Sequence, residues 1–416
     1  MANETIQFAG EYLVEAIELL QPNGGQALDI RNLVSQVTIY EDIFSPFMSG
    51  NLICKDTNAI LTFMDQMGLD IARIKLRTPT LNVPIDKMFH IYKLDERTQV
   101  NERTQEFILH FISVESIVDN TNRVSKQFKG NSVSVVKELL KLLKTNKPLN
   151  ASPAVGGVTY VSNFWPISKN LDYVSDMSVG KGGDPSYLFF ENNYGFNFKT
   201  IVELSKQKPI IEFDASNYTM FGEPSGNTRR KVDLDWKKIQ SYKVYSEFDY
   251  LNDIRVGMIN YRTIAYDINY KRYIDKTEDL SSTNDMLNDK RAYPEFMIKR
   301  SYNVGGSTIF SMNKMTGLFD STDPSGVDVF GRRNMIMKSF RHKIEVEVLG
   351  RTDFTIGTTV LANFNKAMNI NKKTGLNEVE DKLISGKYLV SAICHRFLRE
   401  PAKHEMTVEL IRDSIK

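Results

Sequence analysis

The clearest alternation of apolar and polar positions lies near the end of the chain. In SGKYLVSAICHRFLREPAKHEMTVELIRDS, Ser385 to Ser414, the apolar Met406, Val408 and Leu410 alternate with Glu405, Thr407 and Glu409. That is the period of a half-buried strand. Tyr388 to Phe397 is its natural partner, and the polar stretch Leu398 to Lys403, with Pro401, supplies a turn. The same layout occurs earlier, at Phe89 to Ser116, FHIYKLDERTQVNERTQEFILHFISVES, where the interval from Phe89 to Glu106 equals that from Tyr388 to Glu405. Two similar β-hairpins are therefore predicted.

Taken in order, Tyr12 to Leu20 and Ala27 to Tyr40 read as strands joined by a turn at Pro22-Asn23-Gly24-Gly25. Ile43 to Gly50 is a connector, interrupted by Pro46 and bent at Gly50. Asn51 to Asp56 is a short strand, and Leu61 and Met64 place a helical turn within Ile60 to Met67. Ala72, Ile74 and Leu76 alternate with Arg73, Lys75 and Arg77 in another strand. Phe107 to Val114 is apolar on both faces, the pattern of a strand covered on both sides.

The pattern changes after Val118. Ser132 to Lys144 is a helix with Val136, Leu139, Leu140 and Leu143 on one face and Ser132 or Ser134 as cap. Leu171 to Met177 is a second helix, capped by Asn170; Gly180 to Pro185 is a turn; Tyr187 to Phe198 is a hairpin bending near Tyr194. Residues 242–273 are tyrosine-rich and strand-like, and Ile274 to Lys290 reads as a polar loop. Val327 to Phe340 reads as a helix weakened by Gly331, followed by a strand with Ile344, Val346 and Val348 facing inward. Another strand spans Gly357 to Phe364 and a charged loop spans Asn365 to Lys382.

Two series of four strands thus share one order: Gly50–Asp56, Ala72–Arg77, Phe89–Arg97 and Glu106–Val114, then Ile344–Gly350, Gly357–Phe364, Tyr388–Phe397 and Glu405–Ile411. A duplicated barrel-like unit follows as an expectation. The predicted fold class is α+β, mainly β: two similar antiparallel β-barrel, tube-like domains with an inserted small α+β domain and a further mixed insertion. The expected boundaries are 1–117 for the first barrel, 118–212 for the small domain, 213–335 for a strand-rich linking domain and 336–416 for the second barrel, to which strands from 213–260 can add.

Composition narrows the function. Hydrophobic residues make up 41% and charged residues 25% of the 416, as in ordinary globular proteins, and the length suits about two to four domains. The 53 basic and 51 acidic residues leave a net charge of +2, unlike a dedicated nucleic-acid binder. No apolar run approaches the roughly 18–20 residues of a membrane span, and MANETIQFAGEYLVEAIELL lacks the basic start of a secretory signal. Cys54 and Cys394 each sit in a strand-like run and read as buried free thiols, with a long-range disulfide as the alternative.

Catalytic and metal-binding patterns are not found. GKGGDPS at Gly180 to Ser186 lacks the spacing of a phosphate loop. His90, His110, His342, His395 and His404 form no metal-ligand motif, and Cys394 and His395, adjacent in a strand, point to opposite faces. Glu400 with Glu405, or Asp65 with Asp70, are not distinguished from ordinary exposed carboxylates, and no G-x-S-x-G elbow occurs. The basic cluster Arg229-Arg230-Lys231, with Lys237-Lys238 nearby, reads as a solvated face, with a lumenal or inter-subunit role as the alternative. No catalytic, cofactor-binding or metal-binding residue is assigned, no cofactor is expected, and the chain is not expected to be an enzyme.

VTIYEDIFSPFMSGNLICKD (37–56), YLFFENNYGFNF (187–198), YLNDIRVGM (250–258) and SGKYLVSAICHRF with MTVELIRDS (385–414) resemble the baseplate hub proteins of contractile-tailed bacteriophages, in order and over nearly the whole chain. The resemblance implies a structural protein of the virion tail baseplate, assembled in the host bacterial cytoplasm. It implies a homotrimeric ring of pseudo-sixfold symmetry that joins the tail tube, or its initiator proteins, to a central spike protein. Baseplate wedge proteins would surround the ring, and genomic DNA would pass through its lumen without sequence-specific binding. The alternatives are a hub of a type VI-like secretion or contractile injection system and, ranked last, a tail-tip peptidoglycan hydrolase. Type VI hubs commonly continue into a spike with repetitive β-structure; this sequence runs to Lys416 without such repeats, which favours the phage hub.

Overall fold

The computed structural model describes residues 6–20, 27–57, 70–215, 228–246, 249–267, 271–279, 287, 308–311, 325–366 and 380–414. Its first part is strand-built: β1 (Leu13–Leu20), β2 (Leu28–Asp29), β3 (Val34–Asp42), β4 (Ser49–Asp56), β5 (Ile71–Arg77), β6 (Ile85–Asn101) and β7 (Thr104–Ser113). The strand predicted from Ala27 to Tyr40 is broken at Arg31–Leu33. Asp29 accepts a bond from the backbone N–H of Arg31 at 3.0 Å, an Asx turn that outcompetes the extended conformation. The predicted turn at 22–25 and the helical turn at 60–67 lie outside the described residues. On β7 only one face is fully buried, Phe107, Leu109 and Phe111; the other is half-buried.

The middle of the chain forms α1 (Val114–Thr121), β8 (Gln127–Gly130), α2 (Ser132–Leu142), β9 (Leu149–Ala151), β10 (Ala154–Val155), β11 (Val158–Val161), α3 (Ile167–Met177), β12 (Val179–Gly180), β13 (Tyr187–Asn192), β14 (Gly195–Thr200), α4 (Ile201–Lys206) and β15 (Ile211–Asp214). Helix α2 is capped by Asn131, which accepts from the Val133 N–H at 3.0 Å, rather than by Ser132 or Ser134. Helix α3 begins after Pro166, earlier than predicted. Asn170 lies inside it, fully buried, and accepts a bond from the Tyr160 hydroxyl at 3.0 Å. The aromatic strand faces of β13 and β14 and the apolar faces of α2 and α3 share one core containing Phe128, Leu139, Leu171, Tyr187 and Phe198.

The last part comprises α5 (Thr228–Lys237), β16 (Ile239–Ser246), α6 (Tyr250–Arg255), β17 (Asn260–Asp267), β18 (Arg272–Asp279), β19 (Thr308–Ser311), α7 (Ser325–Ser339), β20 (His342–Leu349), β21 (Thr359–Asn363), β22 (Gly386–Arg399) and β23 (Ala402–Arg412). Ile274 to Asp279 belongs to strand β18, not to the predicted loop. Arg262 on β17 grips Asp275 with two bonds of 2.8 and 2.6 Å, so the polar sequence is paired on an exposed strand. Most of 280–290, and 367–379 of the predicted charged loop, lie outside the described residues. Gly331 is a close-packing position in α7: a Cβ there would lie 2.7 Å from Tyr261 Cδ1 on β17.

The prediction of two β-barrel domains is wrong. Thirteen strands form one open sheet in the order β16-β20-β23-β22-β3-β4-β7-β6-β5-β1-β2, with β21 on β22 and β15 on β21. No closed sheet occurs among the described residues. The reason lies at β22. Its edge beyond β21 pairs with β3 over Ala392–Leu398, so the strand that would close one unit onto itself instead joins the two halves. Two cores lie on this sheet. The N-terminal one contains Ile39, Leu52, Ala72, Ile74 and Phe111; the C-terminal one contains Ile344, Val346, Val360, Val390 and Val408.

Gly50 is not a bend. It lies inside β4, where an added Cβ would stand 2.1 Å from the Thr38 carbonyl oxygen and 2.5 Å from Phe111 Cζ. Backbone cannot yield to that contact without parting β3 from β4. Gly50→Ala is expected to cost at least about 3 kcal/mol, read as a lower urea midpoint at unchanged slope.

Candidate assembly interface

Strands β3-β4-β7-β6-β5 and β16-β20-β23-β22-β21 are two copies of one arrangement, with every neighbouring pair antiparallel. The register agrees residue by residue. Leu52 lies between Val37 and Leu109, and Val346 lies between Tyr242 and Val408. Ile91 pairs with Phe111 as Val390 pairs with Leu410, and Ala72 pairs with Phe89 as Val360 pairs with Tyr388. Even the irregularities recur. A bulge falls between Val34 and Gln36 in one copy and Ile239 and Ser241 in the other; a second falls between Ile91 and Lys93, and between Val390 and Ala392. A bulge adds an unpaired residue and twists a strand, so these two matched bulges curve the copies alike there, while the bulges at Val244/Ser246 on β16 and Asp95/Thr98 on β6 belong to one copy each. The strand patterns had revealed four strands of each copy; the structure adds β3 and β16. Strand β16, Ile239–Ser246, falls largely in the stretch read as strand-like from the sequence, but the strand series of the repeat did not include it.

The copies meet where β22 pairs with β3, from Ala392 opposite Asp42 to Leu398 opposite Gln36. Ile393, Phe397, Val37 and Ile39 are all buried there, each no more than 3% exposed. Two polar groups are buried with them. Glu41 accepts from the Thr355 hydroxyl and, at 3.3 Å, from the Ile356 N–H, so the loop before β21 closes over the joint. Burial raises its carboxyl to about 7, against the lowering effect of those bonds. His395 Nδ1 lies 3.1 Å from His404 Nε2, and Phe397 stacks on His404 with ring centroids 3.9 Å apart. Burial lowers His395 to about 3 and His404 well below the ordinary range, so both rings are neutral at pH 7 and share one proton between the facing nitrogens. These histidines are nine positions apart; only the hairpin register, with Phe397 opposite His404, brings them together.

A further buried network ties the small middle region to the first copy. Glu191 accepts from Ser113 Oγ at 2.5 Å and the Met48 N–H at 3.2 Å, and pairs with Lys147, which also holds Glu115, at 2.6 Å in each case.

Other residues considered from the sequence have ordinary surroundings. In the Gly180–Ser186 turn, Asp184 itself accepts from the Ser186 N–H and hydroxyl at 3.0 and 2.5 Å. Cys54 and Cys394 are free; burial pushes the Cys54 thiol up to about 12, while Cys394 is only half-buried. Glu405 pairs with Lys403 at 2.8 Å beside the hairpin turn. Asp70 is buried, and Asp65 lies outside the described residues. Arg229, Arg230 and Lys231 fall on α5, with side chains outside the described residues. The tyrosines of this stretch differ: Tyr261 is buried, while Tyr242, against Phe364 with centroids 4.8 Å apart, and Tyr245, which donates to Glu345 at 2.6 Å, remain partly exposed. Among the described residues no cluster of His, Cys, Asp and Glu is placed to hold a metal, and no helix is long and apolar enough to cross a membrane.

Comparison with solved structures bears on the whole arrangement. A tail protein from Neisseria meningitidis MC58 superposes with a TM-score of 0.56 at 10% identity, covering 97% of this chain and 98% of that one. The fold is that of solved tail proteins. The prophage MuSo2 43 kDa tail protein from Shewanella oneidensis agrees equally, with a TM-score of 0.56 at 9% identity, 96% of this chain and 98% of that one. A chain of the Francisella PdpA-VgrG complex superposes at 0.50 with 9% identity, over 97% of this chain and 58% of that one. At such identities the likeness extends to the fold alone. No family model and no curated protein matches the sequence.

Proposed function

We propose that the chain is a structural subunit of a contractile tail, the central hub that joins the tail tube to the spike. The observation that carries this reading is the head-to-tail repeat: one chain presents two copies of the same strand arrangement, in matched register, side by side in one sheet. A subunit so built supplies two quasi-equivalent units, and three such subunits supply six. That is what is needed where a sixfold tube meets a threefold spike. The full-length fold likeness to tail proteins supports the same reading. In it, residues 1–117 and 336–416 carry most of the two copies, 118–212 and 213–335 are regions set between them, and the ring's lumen passes DNA without reading its sequence. The likeness to the PdpA-VgrG chain supports a second reading, the corresponding component of a secretion machine, which shares the assembly role.

The test is mass in solution by light scattering, alone and with tube and spike proteins of the same tail. A species of three times the chain mass that forms a complex with the spike is the expected result. A chain that stays monomeric at micromolar concentration and binds neither partner would overturn the reading.

A further inference from the structure

We propose that the pocket beside Arg412 and Lys387, at the end of the second copy, binds a carboxylate: an acidic side chain carried on an extended segment of a partner protein. The first copy holds Glu191 at the matching place. The repeat alone carries this, whether or not the chain is a hub.

The matched registers identify the place. Phe89 pairs with Ser113 on β7, and the same step on the second hairpin sets Tyr388 beside Arg412. Ile74 pairs with Lys87 as Ala362 pairs with Gly386. Arg412 therefore stands where the first copy has Ser113, and Gly386 where it has Lys87. In the first copy this end is filled by the hairpin of β13 and β14. Glu191, its side chain fully buried, accepts from Ser113 Oγ at 2.5 Å and from the Met48 N–H at 3.2 Å. Lys87 Nζ donates to the Asn192 carbonyl at 3.2 Å.

In the second copy the cation is supplied from the other strand. An added Cβ on Gly386 would stand 2.7 Å from Arg412 Nη1, so the guanidinium uses the room that a side chain at this position would take. Arg412 is 6% exposed and lies over the Tyr388 ring, 4.6 Å from its centroid. It donates to the Ser385 carbonyl at 2.9 Å and to that of Leu383. Its Nε–H, also buried, has no acceptor. A buried donor left unpaired is costly, and an Arg fork with one N–H free suits a carboxylate oxygen. Here there is no inserted hairpin but a pocket of about 320 Å³, lined by Gly386, Lys387, Tyr388, Arg412 and Asp413 among others.

Charge agrees. In the first copy Lys87 and Lys147 face Glu191 and Glu115, two cations against two carboxylates. In the second, Lys387 and Arg412 line the pocket with one carboxylate, Asp413, which accepts from the Ser414 hydroxyl at 3.0 Å. Among the described residues neither cation forms an ion pair. One further carboxylate balances the pocket as Glu191 helps balance its counterpart.

The experiment is saturation-transfer NMR on the full chain, titrated with an end-blocked peptide Phe-Glu-Asn, the sequence of Phe190–Asn192. Saturable binding is expected in the millimolar range or tighter, weakened about tenfold when Gln replaces Glu in the peptide. Arg412→Gln is expected to weaken it by a similar factor. That variant also frees the Ser385 and Leu383 carbonyls, so Lys387→Gln, at a half-buried side chain with no ion pair to lose, provides the second measurement, with roughly a threefold loss expected. Arg396→Gln, which removes the same charge further along β22, should leave binding unchanged. No saturation below about 10 mM, equal binding of the Glu and Gln peptides, or affinity indifferent to Lys387→Gln overturns the site. Displacement of the peptide by inorganic phosphate at lower concentration than by acetate makes it a phosphate pocket and overturns it as well.

Discussion

A chain ending at Ser385 is expected to lose its C-terminal fold as well as ring assembly. Removing β22 and β23 strips β20 and β21 of their antiparallel partners and β3 of one edge. It takes Tyr388, Leu389, Val390, Ile393, Met406, Val408, Leu410 and Ile411 from one core and Phe397 from the other. Burying one such side chain stabilises by about 1.5–3 kcal/mol. For the nine side chains this comes to about 14–27 kcal/mol, as much as or more than the roughly 5–15 kcal/mol by which a whole domain is stable. Limited proteolysis of the truncated chain should therefore digest residues 325–385 rapidly while sparing the middle region. A truncated chain that still forms rings would refute the place given to the hairpin.

The second large effect is on pH. Buried histidines held below their ordinary range are neutral in the folded chain and take up protons on unfolding. Their contribution is full above pH 6.5 and is lost as the pH falls toward the folded value, about 3 for His395. At about 1.4 kcal/mol per pH unit, His395 alone should cost on the order of 4 kcal/mol by pH 3. Glu41 acts in the opposite sense. Its carboxyl is raised to about 7, so its contribution is full below 4.5 and is lost as pH rises through 7, about 3 kcal/mol in all. Urea unfolding across this range should show stability falling on both sides. His395→Leu should flatten the acid limb and Glu41→Gln the limb between 4.5 and 7. In the Glu41→Gln background, midpoints that do not change between pH 6.5 and 4 would rule out the neutral histidine pair. Since both groups lie at the joint between the two copies, acid should loosen that joint first.

Much of the fold could be read along the chain because alternation is local. Ala72, Ile74 and Leu76, or Ile344, Val346 and Val348, declare their inward face without reference to any partner, and all are buried. Turn and cap positions were less legible because they depend on which group wins a competition. Asp29 breaks a strand by bonding its own backbone, and Asn131 takes the cap from its serine neighbours. Strand β18 was hidden for another reason: one of its polar residues, Asp275, is paired across the sheet with Arg262, a contact that composition cannot reveal.

The sequence by itself determined the strands, the terminal hairpin and the fact that one series of strands is repeated, because a period of two is imposed by the backbone and needs only neighbouring residues. The tertiary structure decided what the repeats do with their edges. A strand's hydrogen-bonding groups are the same whether it closes a barrel or joins a neighbour, so no pattern of side chains announces the choice. At β22 the choice went to β3, which turned two expected barrels into one open sheet.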